Sequence, residues 1–261
     1  MPESVQETVR THLDHGRAYL DTGKYDDAIA DYDKAIALDP NYATAYNDRG
    51  NAYGRKGAFD RAIADFDKAI ALNRNYALAY FNRGLAYAKK GDFNRAIADY
   101  DKAIEINPNY AAAYYSRGNA YGDRGDYDRA IADFDQAIAL NPNNAIAYSN
   151  RGVAYEKKGE VDRAIADHTK AIALDPNDAS AYNNRGFAYY MKKGEVDRAI
   201  ADFDQAIALD PNYVAAYANR GVAYGTKGDK KRAIADFRKA LEIDPSYQNA
   251  KEVLKILGVT P

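Results

Sequence analysis

Along residues 77–110, ALAYFNRGLAYAKKGDFNRAIADYDKAIEINPNY, apolar side chains recur twice at three- and four-residue intervals, on either side of the polar stretch KKGD. That spacing fits one face of an α-helix, so the segment predicts two amphipathic helices joined by a tight turn. The pattern is periodic. Gly16, Gly50, Gly84, Gly118, Gly152 and Gly186 are 34 residues apart and Gly221 follows after 35, which marks an internal repeat array. With this glycine in the eighth place, the repeats run 9–42, 43–76, 77–110, 111–144, 145–178, 179–213 and 214–247. A second row, Gly23, Gly57, Gly91, Gly125, Gly159, Gly194 and Gly228, suits the positive φ just past the first helix, and a basic residue precedes most of its members. Pro40, Pro108, Pro142, Pro176, Pro211 and Pro245 stop the second helix, while the second repeat has Arg74 in that place.

The period and the recurring positions Tyr80, Gly84, Tyr87, Ala96, Tyr100, Ala103 and Pro108 resemble the tetratricopeptide repeat. The resemblance covers residues 9–247. It implies an all-α fold, a right-handed superhelical α-solenoid of antiparallel helix pairs whose first helices line a concave channel. No helix pair of such an array buries its apolar face alone, so each depends on its neighbours. Residues 1–8 are expected as an N-terminal extension. Residues 248–261 are expected as a capping helix and tail, with Ala250, Val253, Leu254 and Leu257 on one face. Departures are local: His12 and His15 replace the aromatic and the arginine of the first repeat, and His168 replaces the second-helix aromatic of the fifth. The sixth carries one extra residue in YYMKKGE, which is expected to lengthen the helix, loosen the turn or form a bulge near Tyr190 and Met191.

The repeat explains most residues, so function is sought in what remains. Among 24 tyrosines only Tyr115 and Tyr190, and among eight phenylalanines only Phe81 and Phe187, stand where other repeats lack an aromatic. At about 100° per residue, the second, fifth, ninth and twelfth places point away from the packed side of the first helix. Phe81, Tyr115, Phe187 and Tyr190 occupy such places, with Leu85 beside them, and are candidate groove anchors. Packing against the neighbouring first helix is the competing reading. Gly54, Gly122 and Gly225 in twelfth places, each costing a helix about 1 kcal/mol relative to alanine, leave room on the same side. Asn82, Asn150, Asn184 and Asn219 in the sixth place, with Asn51 and Asn119 in the ninth, offer donors and acceptors for an extended peptide backbone; hydrogen bonds between helices are the alternative.

The family's carboxylate clamp for acidic chaperone tails needs cations in the second, fifth and sixth places. Asn51 and Asn82 match its asparagines, but Asn47, Ala112 and Ser116 hold its cationic places, so no such binding is expected. The seventh-place row Arg49, Arg83, Arg117, Arg151, Arg185 and Arg220 is matched by aspartates at 31, 65, 99, 133, 167, 202 and 236 in the twenty-third place. This reads as bidentate ion pairing rather than an anion site.

Charge and composition narrow the function. A net charge of −2, with 36 basic and 38 acidic residues spread along the chain, disfavours nucleic acid. The absence of cysteine removes thiolate metal sites and nucleophiles. Three histidines and no recognisable catalytic motif leave no expected metal site, cofactor or enzyme activity. The charged first twenty residues show no signal peptide, no apolar run suggests a membrane span, and cytoplasmic location is the default. The expected function is a non-catalytic scaffold holding a peptide or helical segment of another protein in the groove. Self-association into a homo-oligomer is the second class and RNA recognition, which the mildly acidic charge disfavours, the third; the near identity of the repeats also admits an engineered or consensus-derived array without a natural ligand.

Overall fold

The computed structural model describes residues 3–192 and 194–260. Among these there are fifteen α-helices and no strand. They form two compact bodies, divided after Leu140. The first holds α1 (Glu3–Asp21), α2 (Tyr25–Leu38), α3 (Ala43–Arg55), α4 (Phe59–Leu72), α5 (Ala77–Lys89), α6 (Phe93–Ile106), α7 (Ala111–Asp123) and α8 (Tyr127–Leu140). The second holds α9 (Ala145–Lys157), α10 (Val161–Leu174), α11 (Ala179–Met191), α12 (Val196–Leu209), α13 (Val214–Thr226), α14 (Lys230–Ile243) and α15 (Gln248–Ile256). The chain is an all-α solenoid of consecutive helix pairs. No helix among the described residues is long and apolar enough to cross a membrane.

Each pair closes through the turn that the glycine row predicts. After α5 the Gly91 N–H donates to the Ala88 carbonyl and the Asp92 N–H to the Tyr87 carbonyl, both at 2.9 Å, with Gly91 at φ 77°. This is a Schellman closure, and the left-handed residue is where a side chain would strain the backbone. In the sixth repeat the extra residue enters the turn rather than the helix. α11 keeps 13 residues, Lys192 after it is extended (φ −81°, ψ 115°), and Gly194 takes the positive φ of 92°. The helix keeps its length because its buried residues, Ala181, Asn183, Gly186 and Ala188, are already in register with the neighbouring helices.

Within a pair, an aromatic ring of the second helix lies against the eighth-place glycine of the first. A Cβ at Gly84 would stand 2.7 Å from the Tyr100 ring, and one at Gly186 2.8 Å from Phe203, closer than atoms pack. Glycine therefore sets how nearly the helices approach, and each ring so covered contributes roughly 1.5–3 kcal/mol. Every second helix packs on the first helix of the next repeat of its body. Each odd-numbered helix up to α13 also touches the next odd-numbered one in its body, while no comparable contact joins the even-numbered helices. A stack whose odd layer is drawn together and whose even layer is splayed curves toward the odd layer, so within each body the first helices lie on the inside of the bend.

At the ends, α1 begins at Glu3, so residues 3–8, expected as an extension, continue the first helix. Glu3 in its first turn suits the positive end of the helix dipole. α15 covers α14 with Ala250 and Leu254 fully buried, and Val253 and Leu257 half-buried beside them.

Candidate functional site

The arginines of the seventh place are committed to the scaffold. Arg49 donates from Nε and Nη2 to both carboxylate oxygens of Asp65 at 2.8 and 2.7 Å, and the same fork joins Arg83 to Asp99, Arg117 to Asp133, Arg151 to Asp167, Arg185 to Asp202 and Arg220 to Asp236. The aspartates are buried. Burial pushes the Asp99 and Asp133 carboxyls up, partly offset by their arginines, while the carboxylates hold the Arg83 and Arg117 guanidiniums well above the ordinary value. The remaining Nη1 reaches an aspartate of the preceding repeat: Asp33 from Arg49, Asp67 from Arg83, Asp101 from Arg117 and Asp204 from Arg220. One guanidinium thus closes its own pair and staples it to the previous one. Arg185 meets Thr169 Oγ1 instead, at 3.4 Å. In the first repeat His12 Nδ1, from the place of the aromatic, takes the arginine's role toward Asp31 at 3.2 Å.

The sixth-place asparagines turn sideways. Asn82 donates to Asn47 Oδ1 and Asn219 to Asn183 Oδ1, both at 3.0 Å, and Asn184 stands 3.5 Å from Ser149 Oγ. Each such bond joins one first helix to the first helix before it. The amides therefore brace the inner layer, with one N–H and the carbonyl of Asn82 and Asn219 not used by that bond. Asn119 and Asn150 sit half-buried on α7 and α9.

Three of the four anchors are packed into the protein. Phe81 is half-buried with its ring centroid 5.9 Å from that of Tyr100 and 4.9 Å from that of Tyr110, and Tyr115 stands 6.0 Å from Phe134. Tyr190 packs on Phe203 and Ala223 and its hydroxyl lies 3.2 Å from Thr226 Oγ1. Phe187 and Leu85 are the open ones, 39% and 38% exposed.

Of the eleven candidate residues, Asn51, Asn82 and Leu85 share one pocket of about 240 Å³ between α3, α4 and α5. Phe59, Phe66 and Ala86 wall it and Arg55 and Lys89 complete the lining. Gly54 opens it, since a Cβ there would meet only the Ala62 Cβ, at 3.9 Å. The cations were missed in the sequence because they occupy the thirteenth place, outside the places that face away from the packed side. Their signal is the succession Asp21, Arg55, Lys89, Asp123, two cations between two acids. The twelfth place has other solutions elsewhere: Glu156 bonds the buried His168 Nε2 at 3.0 Å, leaving Nδ1 without a partner.

The sequence pattern described as TPR repeat matches residues 16–57, 55–91, 118–159, 157–193 and 190–228, and the tetratricopeptide repeat pattern matches 77–110, 214–247 and 99–132. The chain belongs to the tetratricopeptide repeat family. No curated protein matches it by sequence. Among solved structures it is similar to YrrB, described as a TPR protein with an unusual peptide-binding site, at 29% identity over 73% of this chain and 97% of that one, with a TM-score of 0.59. It is similar to MamA at 33% identity over 63% and 96%, with a TM-score of 0.58. It shares its fold with a tetratricopeptide repeat protein from Parabacteroides merdae, at 23% identity over 96% and 98% and a TM-score of 0.71. The tetratricopeptide repeat frame accounts for the glycine-on-ring contacts and the helix-pair period. It does not account for Gly54, Arg55 and Lys89 around one pocket.

Proposed function

We propose that this tetratricopeptide repeat chain is a non-catalytic scaffold that holds a segment of another protein along the exposed face of its odd-numbered helices. The observation that carries this is the placement of exposed apolar side chains. Of eight large ones among the described residues, Leu78, Leu85, Ile146, Phe187 and Met191 lie on α5, α9 and α11 and Ile256 ends α15, whereas the even-numbered helices contribute only their last residues, Leu38 and Leu140. Apolar side chains held on the inner layer of each body fit recognition of an inserted segment. The similarity to a peptide-binding protein of the same family supports the reading. Leu85 and Phe187 are the open contacts, with Phe81, Tyr115 and Tyr190 behind them as the platform.

The test is selection of peptides from a displayed random library, followed by hydrogen–deuterium exchange of the complex. Protection concentrated on α3, α5, α7, α9, α11 and α13 is expected. Protection confined to the even-numbered helices overturns the reading, and a mass that climbs with concentration in light scattering, with the odd helices protected in the oligomer, assigns the face to a second copy.

A further inference from the structure

The pocket beside Gly54 says more about its occupant than the face as a whole. Its walls are the rings of Phe59 and Phe66 with Leu85, and its volume of about 240 Å³ exceeds the roughly 150 Å³ in which an apolar cavity holds benzene. No carboxylate lines it. The adjacent Lys56 and Lys90 are spent on Asp26 and Asp60, but Arg55 and Lys89 carry no ion pair among the described residues. The protein also shows what such a space accepts. In the sixth and seventh repeats the equivalent cluster contains Phe203 and Ala223, and Tyr190, in the place of Gly54, lays its ring against them. Its hydroxyl ends at Thr226, the counterpart of Lys89.

Resting on the scaffold reading above, we infer that the pocket of the second and third repeats receives an aromatic side chain from a partner segment whose flanking residues are carboxylates. The ring takes the position that Tyr190 fills from within the chain, and the carboxylates neutralise Arg55 and Lys89. This differs from the family's carboxylate clamp, whose cationic places here are uncharged: charge has moved to the thirteenth place, next to an apolar cavity.

The probe is a fluorescein-labelled, amidated pentapeptide with phenylalanine between two pairs of glutamates, read by anisotropy at low salt. Replacing its phenylalanine by alanine, or its glutamates by lysines, is expected to weaken binding roughly tenfold or more, a change of about 1.4 kcal/mol per decade. Gly54→Tyr, which fills the pocket from inside, is expected to abolish the phenylalanine preference with helicity unchanged. The exposed pair Arg55→Glu and Lys89→Glu is expected to transfer preference to the lysine peptide, and it keeps the test decisive where Gly54→Tyr disturbs folding. Equal binding of the alanine peptide, or unchanged binding by both variants, overturns the inference. If library-selected peptides still protect the odd-numbered helices while ignoring these variants, the inference falls and the scaffold reading stands.

Discussion

Two clusters built on the same plan end differently. In the second and third repeats Ala62, Phe66 and Ala86 form a core flanked by Tyr53, Phe59 and Ile63; in the sixth and seventh, Ala199, Phe203 and Ala223 are flanked by Tyr189, Val196 and Ile200, with Tyr190 added. The scaffold contacts are shared, down to the fork of Arg49 on Asp65 and Arg185 on Asp202. The exchange of Gly54 for Tyr190 decides whether the space beside the ring is open or occupied. The joints and the space beside them are therefore separable in this chain: one place outside the repeat's signature is set without altering the contacts beneath it.

The comparison can be broken first at what the clusters share. Arg49→Leu and Arg185→Leu each leave a buried aspartate without its partner and are expected to destabilise by about 3 kcal/mol in urea unfolding; a loss within a few tenths of a kcal/mol would show that the forks do not hold the pairs together. Next, Tyr190→Gly removes a half-buried ring and adds a glycine in the last turn of α11. It is expected to cost about 2–3 kcal/mol and to open a second pocket, with faster amide exchange in α11 and α13 as the readout. The reverse change, Gly54→Tyr, is expected to stabilise by about 1 kcal/mol as the helix loses its glycine; a fall in the melting temperature would mean that the two spaces are not equivalent. The smallest effect concerns the staple. Thr169→Asp gives Arg185 the acceptor that Arg49 has in Asp33, worth about 0.5 kcal/mol at low salt and less as salt is added; no gain at either salt level would mean that this exposed contact is ornamental.

The fold was legible because the repeat states each rule six or seven times. Glycine opposite a ring, glycine at the turn and one arginine with one aspartate in every repeat but the first all follow from period and place. The second aspartate was equally present, in Asp33, Asp67, Asp101 and Asp204, but an exposed carboxylate on a helix looks like solvation until its arginine is seen across the repeat boundary. The site was less legible. Helical geometry points Leu85 and Phe187 away from the packed side, and both are more than a third exposed, but it does not tell how far a ring folds back, and Phe81 and Tyr190 fold back onto Tyr110 and Phe203. Asparagine spacing likewise did not distinguish a grip on a peptide from the brace that joins Asn82 to Asn47.

The staple has a consequence for how such a chain changes length. Because a repeat such as 77–110 carries both the arginine that reaches backward and the aspartate that receives the next arginine, Arg83 and Asp101, a duplicated copy spliced in frame brings matching ends with it. Unequal crossing-over can then add or remove 34 residues without inventing a new interface. Thr169 and His12 are where this interchangeability lapses, and in the seventh repeat Arg238 stands in the place of the receiving aspartate, so an arginine reaching back to it would meet a like charge.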